Sequence, residues 1–394
     1  MTSVESSRST IHDVIVVGAG PAGLFSALRL ARGGRDVLVL EEHGVIGAPT
    51  HCTGVVSAEL QELYKISEDL VLHRASSCLV VSPHGTVAEF QSPGEDITVL
   101  DRAAFDLGLA TEARAAGAAI VLDTRVEDVR VGRGVVEVST GRRVHLGRAI
   151  ILACGVAYRF HRRMGFGLPS SVLHTAQIEL DAHPAEAMEI HLGRQVAPEG
   201  FAWLVPVRRD DRPRVKAGVL LRGDARARLA TFLASARVAP RLVGTIGDPV
   251  LRLLPLAPPR RTYGPRTLLV GAAAGLTKPL TGGGIFYSVL SANLAAETLE
   301  EALAADDFGA RRLSRYETRW RQRLGRELRT GEWFRHLLAN FTDRELEAFV
   351  RAIGSDDVRA VIDRCARFNW HRSVILALLK QPGIKSVLLR SLFR

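Results

Sequence analysis

Four consecutive apolar residues, 14–17, predict a buried strand near the start of the chain. Residues 24–32 then read as a helix, and 36–40 form a second apolar run that ends at Glu41 and Glu42. Together they predict a first βαβ unit over residues 11–42. Residues 76–99 alternate apolar and polar positions, with turns at Pro83-His84-Gly85 and Pro93-Gly94, and predict antiparallel strands. An alanine-rich helix opens at Asp101-Arg102 and ends near Gly117. Further strands are expected at 119–122, 126–131 and 135–138, and a buried one at 148–154 running into Gly155.

Residues 166–260 change character. Strands are expected at 172–180, 187–192, 201–207 and 215–221, with a helix at 225–236. In the last strand Val215, Ala217 and Val219 share one face, as in a half-buried antiparallel strand. Residues 268–271 return to the short apolar strand of the opening unit, and a long helix is expected at 285–303. Residues 312–394 read as mostly helical. The expected architecture is α/β: a Rossmann-like, three-layer dinucleotide-binding domain (11–75, 98–165 and 265–325), interrupted by an antiparallel-sheet substrate domain (76–97 and 166–264). A helical C-terminal region, 326–394, follows.

The junction after the first strand carries the chemistry. Gly18, Gly20 and Gly23 have G-x-G-x-x-G spacing between a strand and a helix, with Pro21 and Ala22 inside the loop. Gly18 permits a tight turn, Gly20 lets backbone approach a pyrophosphate, and Gly23 lets helix and strand pack closely. The helix N-terminus points its free N–H groups at the phosphates. Glu41, with Glu42 beside it, stands where an acid takes a ribose hydroxyl.

Composition narrows the setting. At 394 residues about two or three domains are expected. A formal charge of +10 suits an anionic partner, but the arginines are spread along the chain, which argues against nucleic acid. Cys52, Cys78, Cys154 and Cys365 form no C-x-x-C pair, so no metal site or disulfide framework is expected, and a reducing cytoplasm fits. No stretch reaches the ~18 apolar residues of a spanning helix. At the C-terminus Ile384, Val387, Leu388 and Leu392 share a helical face beside Lys385, Arg390 and Arg394. Such a face suits peripheral contact with an anionic membrane, or packing on the protein body.

Four stretches taken together resemble the FAD-dependent geranylgeranyl reductase family, within the p-hydroxybenzoate hydroxylase-like flavoproteins. They are the glycine loop, Asp101-Arg102-Ala-Ala-Phe-Asp106, Pro198-Glu-Gly-Phe-Ala-Trp-Leu-Val-Pro206, and Gly271 to Ile285 with its Pro-Leu-Thr-Gly-Gly-Gly-Ile turn. The resemblance covers roughly residues 11–325. It implies FAD as cofactor and reduction of isolated prenyl double bonds. An unactivated alkene needs a proton at one carbon while a flavin hydride reaches the other, in a site that excludes water. The resemblance further implies cofactor contacts from Arg102, Gly271, Ala272, Gly282, Gly283, Gly284 and Ile285. Phe201, Trp203, Pro206 and Pro279 are implied at the substrate. Cys52 aligns with a family cysteine facing the flavin, and His51 is the nearest candidate acid; a small buried hydrophobe and a plain loop histidine are the alternatives. Phe201 and Trp203 alternate on one strand and so face the same side, as tunnel wall or as core. Lys278 is expected at the surface.

Two positions depart from the family pattern. Ala272 stands where relatives carry aspartate on the ribityl hydroxyls, and Cys154 where Ala-Asp-Gly is usual. The implied electron donor is NAD(P)H, a ferredoxin or a quinol; the chain carries no second glycine-rich nucleotide loop. A flavin monooxygenase or halogenase on the same domain is the second reading, and a non-enzymatic flavin fold the third.

Overall fold

The computed structural model describes residues 10–91, 97–141 and 143–392. The expected turn at Pro93-Gly94 lies outside them. Among the described residues the strands form three sheets of eight, seven and three strands.

In the eight-stranded sheet Ile11–Val17 lies between Val144–Leu152 and Val37–Leu40, parallel to both. Ala119–Val121 and Thr267–Leu269 extend it, again in parallel. Apart from the edge strand Ala119–Val121, these strands are buried on both faces, which is why they read as unbroken apolar runs rather than alternating ones. Helices Pro21–Arg32 and Ile285–Ala304 pack against each other in the same core, through residues such as Leu24, Leu28, Val289 and Leu299. Helix Arg102–Ala115 starts where the Asp101 carboxylate accepts from the N–H groups of Ala103 and Ala104.

The seven-stranded sheet runs Val250–Pro255, Val172–Asp181, Arg212–Leu221, Phe201–Arg209, Met188–His191, Ser77–Val81, Val87–Gln91. Two features differ from the sequence pattern. Ser77–Val81 pairs with Met188–His191 in parallel, so the sheet is mixed rather than antiparallel throughout. Residues 215–221 are buried on both faces, because helix Ala225–Leu233 covers one side and the Cys52 loop the other. The third sheet, Val55–Ser57, Ile97–Leu100 and Val71–Ala75, lies beside strand Phe201–Arg209, with Val99 and Val205 in one cluster.

Helix Ala310–Ala339 leads into four more helices, Asp343–Ile353, Asp356–Cys365, Arg372–Leu378 and Pro382–Leu392. Thr342 and Glu345 close a reciprocal capping box at the first of these four. The face of residues 384–388 proposed for a membrane is occupied. Ile384 and Val387 are buried in a cluster with Phe334, Phe341 and Phe349. An apolar helical stripe reports that something covers it, and here the cover is the protein itself. The side chains of Arg390, Leu392 and Arg394 lie outside the described residues. Among the described residues no helix is long and apolar enough to cross a membrane.

Candidate active site

The glycine loop is shaped by close approach. Gly18 has φ +103°, and a Cβ there would lie 2.6 Å from the Ala153 carbonyl oxygen. A Cβ on Gly23 would lie 2.0 Å from the Gly18 oxygen, so helix and turn touch backbone to backbone. Gly20 differs: its Cβ direction meets no protein atom within 4 Å. It opens onto a cavity of about 1140 Å³, with Pro21 starting the helix beside it. Glu41 is buried at the rim of this loop. Its carboxylate accepts from the Ala19 N–H at 2.6 Å and from the His43 N–H at 3.0 Å. Glu42 also lines the cavity and pairs with Arg125 at 3.5 Å.

The opposite wall is the turn before helix Ile285–Ala304. Gly282 has φ +73° and is pinched against Leu254, which a Cβ would meet at 2.8 Å. Gly282, Gly283, Gly284, Ile285 and Ala272 line the cavity, whereas Gly271 and Gly23 are packing positions behind it. Lys278 is buried rather than at the surface. Its ammonium lies against the Phe368 ring and donates to the Phe368 carbonyl and to Asn369 Oδ1. It thereby ties the glycine turn to the C-terminal helices.

Between these walls stands the loop of His51 and Cys52, both facing the cavity. Arg102 is buried, donates to both Asp106 oxygens at 2.9 Å, and lies within hydrogen-bond reach of the Cys52 sulfur. Lys216 is 2% exposed and donates to the carbonyls of Thr53 at 2.8 Å and Leu100 at 3.3 Å. Burial pushes the Lys216 ammonium down to about 8. His51 is lowered to about 4 by the enclosing walls and then by Arg252. At neutral pH it therefore presents mainly a neutral ring, although its side chain is exposed at the cavity mouth.

The cavity continues away from these groups into an apolar arm. Phe201 and Trp203 line it, with ring centroids 5.9 Å apart, and Leu173, Leu220 and Leu254 pack alongside. Val80, Phe90 and Ile190 carry the lining to Phe334, Phe349 and Leu378 of the C-terminal helices. Two expected substrate residues are elsewhere. Pro206 lines a separate small pocket with Arg214 and Leu242, three residues beyond Trp203 and so on the other face of the strand. Pro279 packs outward on Gly331 of helix Ala310–Ala339.

Comparison with known proteins bears on this arrangement. A family model described as lycopene cyclase protein matches residues 13–353. Digeranylgeranylglycerophospholipid reductase 2 of Methanopyrus kandleri is 31% identical, with 89% of this chain and 92% of the relative covered. The chain belongs to the geranylgeranyl reductase family. The enzyme of the same name from Methanothermobacter thermautotrophicus is 30% identical over 89% of this chain and 94% of its own length. Among solved structures, a geranylgeranyl bacteriochlorophyll reductase-like protein of Thermoplasma acidophilum shares the fold with TM-score 0.83. It is 21% identical, with 97% of this chain and 99% of that one covered. A point mutant of the halogenase PltM in complex with FAD shares the fold more distantly, at TM-score 0.67 and 15% identity, with 97% of this chain and 90% of that one covered.

Within the geranylgeranyl reductase family this chain's loop fits an extended dinucleotide. The space in front of Gly20 is what a Cβ would fill, and the N–H groups of the following helix start face it. The departures at Ala272 and Cys154 both lie on the cavity wall. The Ala272 carbonyl accepts from the Tyr158 hydroxyl at 3.2 Å, and burial pushes the Cys154 thiol up to about 11. Four residues were missed by sequence pattern. Lys216 reads as the polar position of an alternating strand. Gln177, which accepts from the Thr53 hydroxyl at 2.6 Å, has no motif. Asn369 and Arg335 lie in helical sequence rich in polar residues. None of the four carried a local signal.

Proposed function

We propose that this protein is an FAD-dependent reductase of isolated double bonds in a geranylgeranyl-type chain borne by a lipid, the chemistry named for its Methanopyrus and Methanothermobacter relatives. The observation that carries the reading is continuity. One cavity runs from the glycine loop and the Gly282–Gly284 turn, past Cys52, into the arm lined by Phe201, Trp203 and Phe349. A compact aromatic substrate needs no such arm; an extended isoprenoid does.

When bound, FAD supplies the hydride to one alkene carbon. The chain's residues do the rest. Gly18 and Gly20 with the helix N-terminus would hold the phosphates, Gly23 lets the helix pack on the turn, and Glu41 fixes the end of the loop. The Gly282–Gly284 turn and the N-terminus of helix Ile285–Ala304 face the developing negative charge. Cys52, beside Arg102, delivers the proton to the second alkene carbon and is reprotonated from solvent; the neutral His51 ring lines its path. The apolar arm aligns the chain and excludes water. Residues 11–75, 98–165 and 265–325 act as the flavin unit, and 76–97 with 166–264 as the substrate unit. NAD(P)H, a ferredoxin or a quinol supplies the electrons.

The test is anaerobic incubation of the FAD-loaded protein with dithionite and a geranylgeranylated lipid, followed by mass spectrometry. A gain of two hydrogens per reduced bond supports the reading. The match to the lycopene cyclase model favours one second reading, cyclisation of a polyene by protonation, which leaves the mass unchanged. An added oxygen or halogen atom would instead point to hydroxylation or halogenation.

A further inference from the structure

Arg335 lies on helix Ala310–Ala339, is 5% exposed, and lines the cavity. Its Nη2 donates to the Ser171 hydroxyl at 3.0 Å. Its Nε and Nη1 are buried and have no hydrogen-bond partner among the described residues. The nearest charges do not neutralise it directly. Glu199 accepts from Arg222 at 2.8 Å, and Glu332 acts on Arg335 only at a distance. A buried guanidinium with two N–H groups unmet is costly unless a ligand meets them. Burial already pushes Arg335 below its ordinary range, although an arginine stays charged at any physiological pH.

The surroundings fix where such a ligand sits. Ser171 precedes strand Val172–Asp181, whose Leu173 pairs with Leu254. Leu254 is the side chain pressed on Gly282. On the helix, Gly331 packs on Pro279, about one turn (~5.4 Å) before Arg335. Arg335 therefore stands on the cavity wall near the Gly282–Gly284 turn, next to Phe334 of the apolar arm.

We propose that Arg335, supported by Ser171, is the docking point for an anionic oxygen group, a phosphate or its ester, at the polar end of the prenyl substrate. The inference rests on the prenyl reading for the ligand's tail but assigns its head. A hydroxyl would meet one N–H and leave the charge buried; a phosphate meets both N–H groups and balances the charge. With the head held there, the tail lies against the apolar lining that includes Phe201 and Trp203.

The test is calorimetric binding of geranylgeranyl phosphate and of geranylgeraniol in the same detergent, to the FAD-loaded full chain. No turnover is needed, so a protein that binds both but reduces neither would fail the reductase reading and leave this one standing. Wild type is expected to bind the phosphate at least tenfold more tightly than the alcohol. Arg335→Gln is expected to shrink that ratio to within twofold while alcohol affinity stays the same. Inorganic phosphate displacing the ester would mark a free-oxyanion site; failure to displace it would mark a lipid headgroup site. Equal binding of the two ligands by wild type, or an Arg335→Gln variant weakened equally for both, overturns the proposal. If Arg335→Gln does not fold, Ser171→Ala serves in its place. It leaves the charge intact and is expected to lower the phosphate preference several-fold without changing alcohol binding; an unchanged preference overturns the proposal.

Discussion

The ammonium of Lys216 donates to the carbonyl of Thr53 at 2.8 Å and so ties the Cys52 loop to the middle of the seven-stranded sheet. The tie is electrostatically expensive. Folded Lys216 titrates near 8, well below its ordinary 10.5. The folded state therefore binds fewer protons than the unfolded chain between those values, and stability rises with pH across the window. It is highest above 10.5 and falls as pH drops toward 8, by up to about 3 kcal/mol. Melting curves of wild type and Lys216→Met from pH 7 to 10.5 should show a rising difference in favour of wild type. A difference independent of pH would count against the assigned titration.

The glycine loop predicts a contrast. Gly20→Val should leave apoprotein stability within about 0.5 kcal/mol, because the new side chain enters cavity and not protein. It should abolish retained flavin absorbance. Gly23→Ala should cost about 3 kcal/mol or more, since its Cβ lands on the Gly18 carbonyl. Chemical denaturation of both apoproteins, beside their flavin content, separates the two effects.

Trp203 fills the space above Gly218, where a Cβ would lie 2.2 Å from its ring. Its indole N–H is buried and has no hydrogen-bond partner among the described residues. Gly218→Ala should push the ring into the arm, cost about 1–3 kcal/mol by overpacking, and raise KM for long chains more than for short ones. Trp203→Phe removes the orphan N–H and should leave stability within about 1 kcal/mol of wild type. Steady-state kinetics on a ladder of prenyl lengths reads the first outcome, thermal melts the second.

Asn369 joins three parts of the chain. Its amide donates to Ser57 at 3.0 Å and Glu59 at 2.9 Å, and it accepts from Lys278 at 3.2 Å. Asn369→Ala should destabilise by about 2–4 kcal/mol, more than one hydrogen bond, because it removes three hydrogen bonds at one buried junction. Limited proteolysis should show earlier cutting near residues 366–371 if the segment loosens.

The sequence carries some of these relations openly and hides others. The strand at 14–17, the glycine loop and the helix after Gly284 are local patterns, and local periods survive folding. Phe201 and Trp203 are two apart on a strand, so their shared face follows from the pleat. Pro206 sits three residues from Trp203, and the same rule already puts it on the opposite face. Lys216 shows the limit: a lysine between Val215 and Ala217 reads as solvent-facing, and only the Cys52 loop, more than 160 residues earlier, makes that face interior. The 384–388 stripe shows another. Its apolar face is legible, but its cover, the Phe334–Phe349 cluster, belongs to other helices.

The arm of the cavity beyond Trp203 is walled largely by residues after 330, whereas the glycine loop and the Cys52 loop lie before 55. Reach and reactivity are thus written in distant stretches of the gene. Phe349 and Leu378 can be altered to reshape the arm at positions remote in sequence from His51 and Cys52. Chimeras exchanging the last sixty or so residues, with Phe368 and Asn369 kept because they hold Lys278, Ser57 and Glu59, offer a direct way to change chain-length preference.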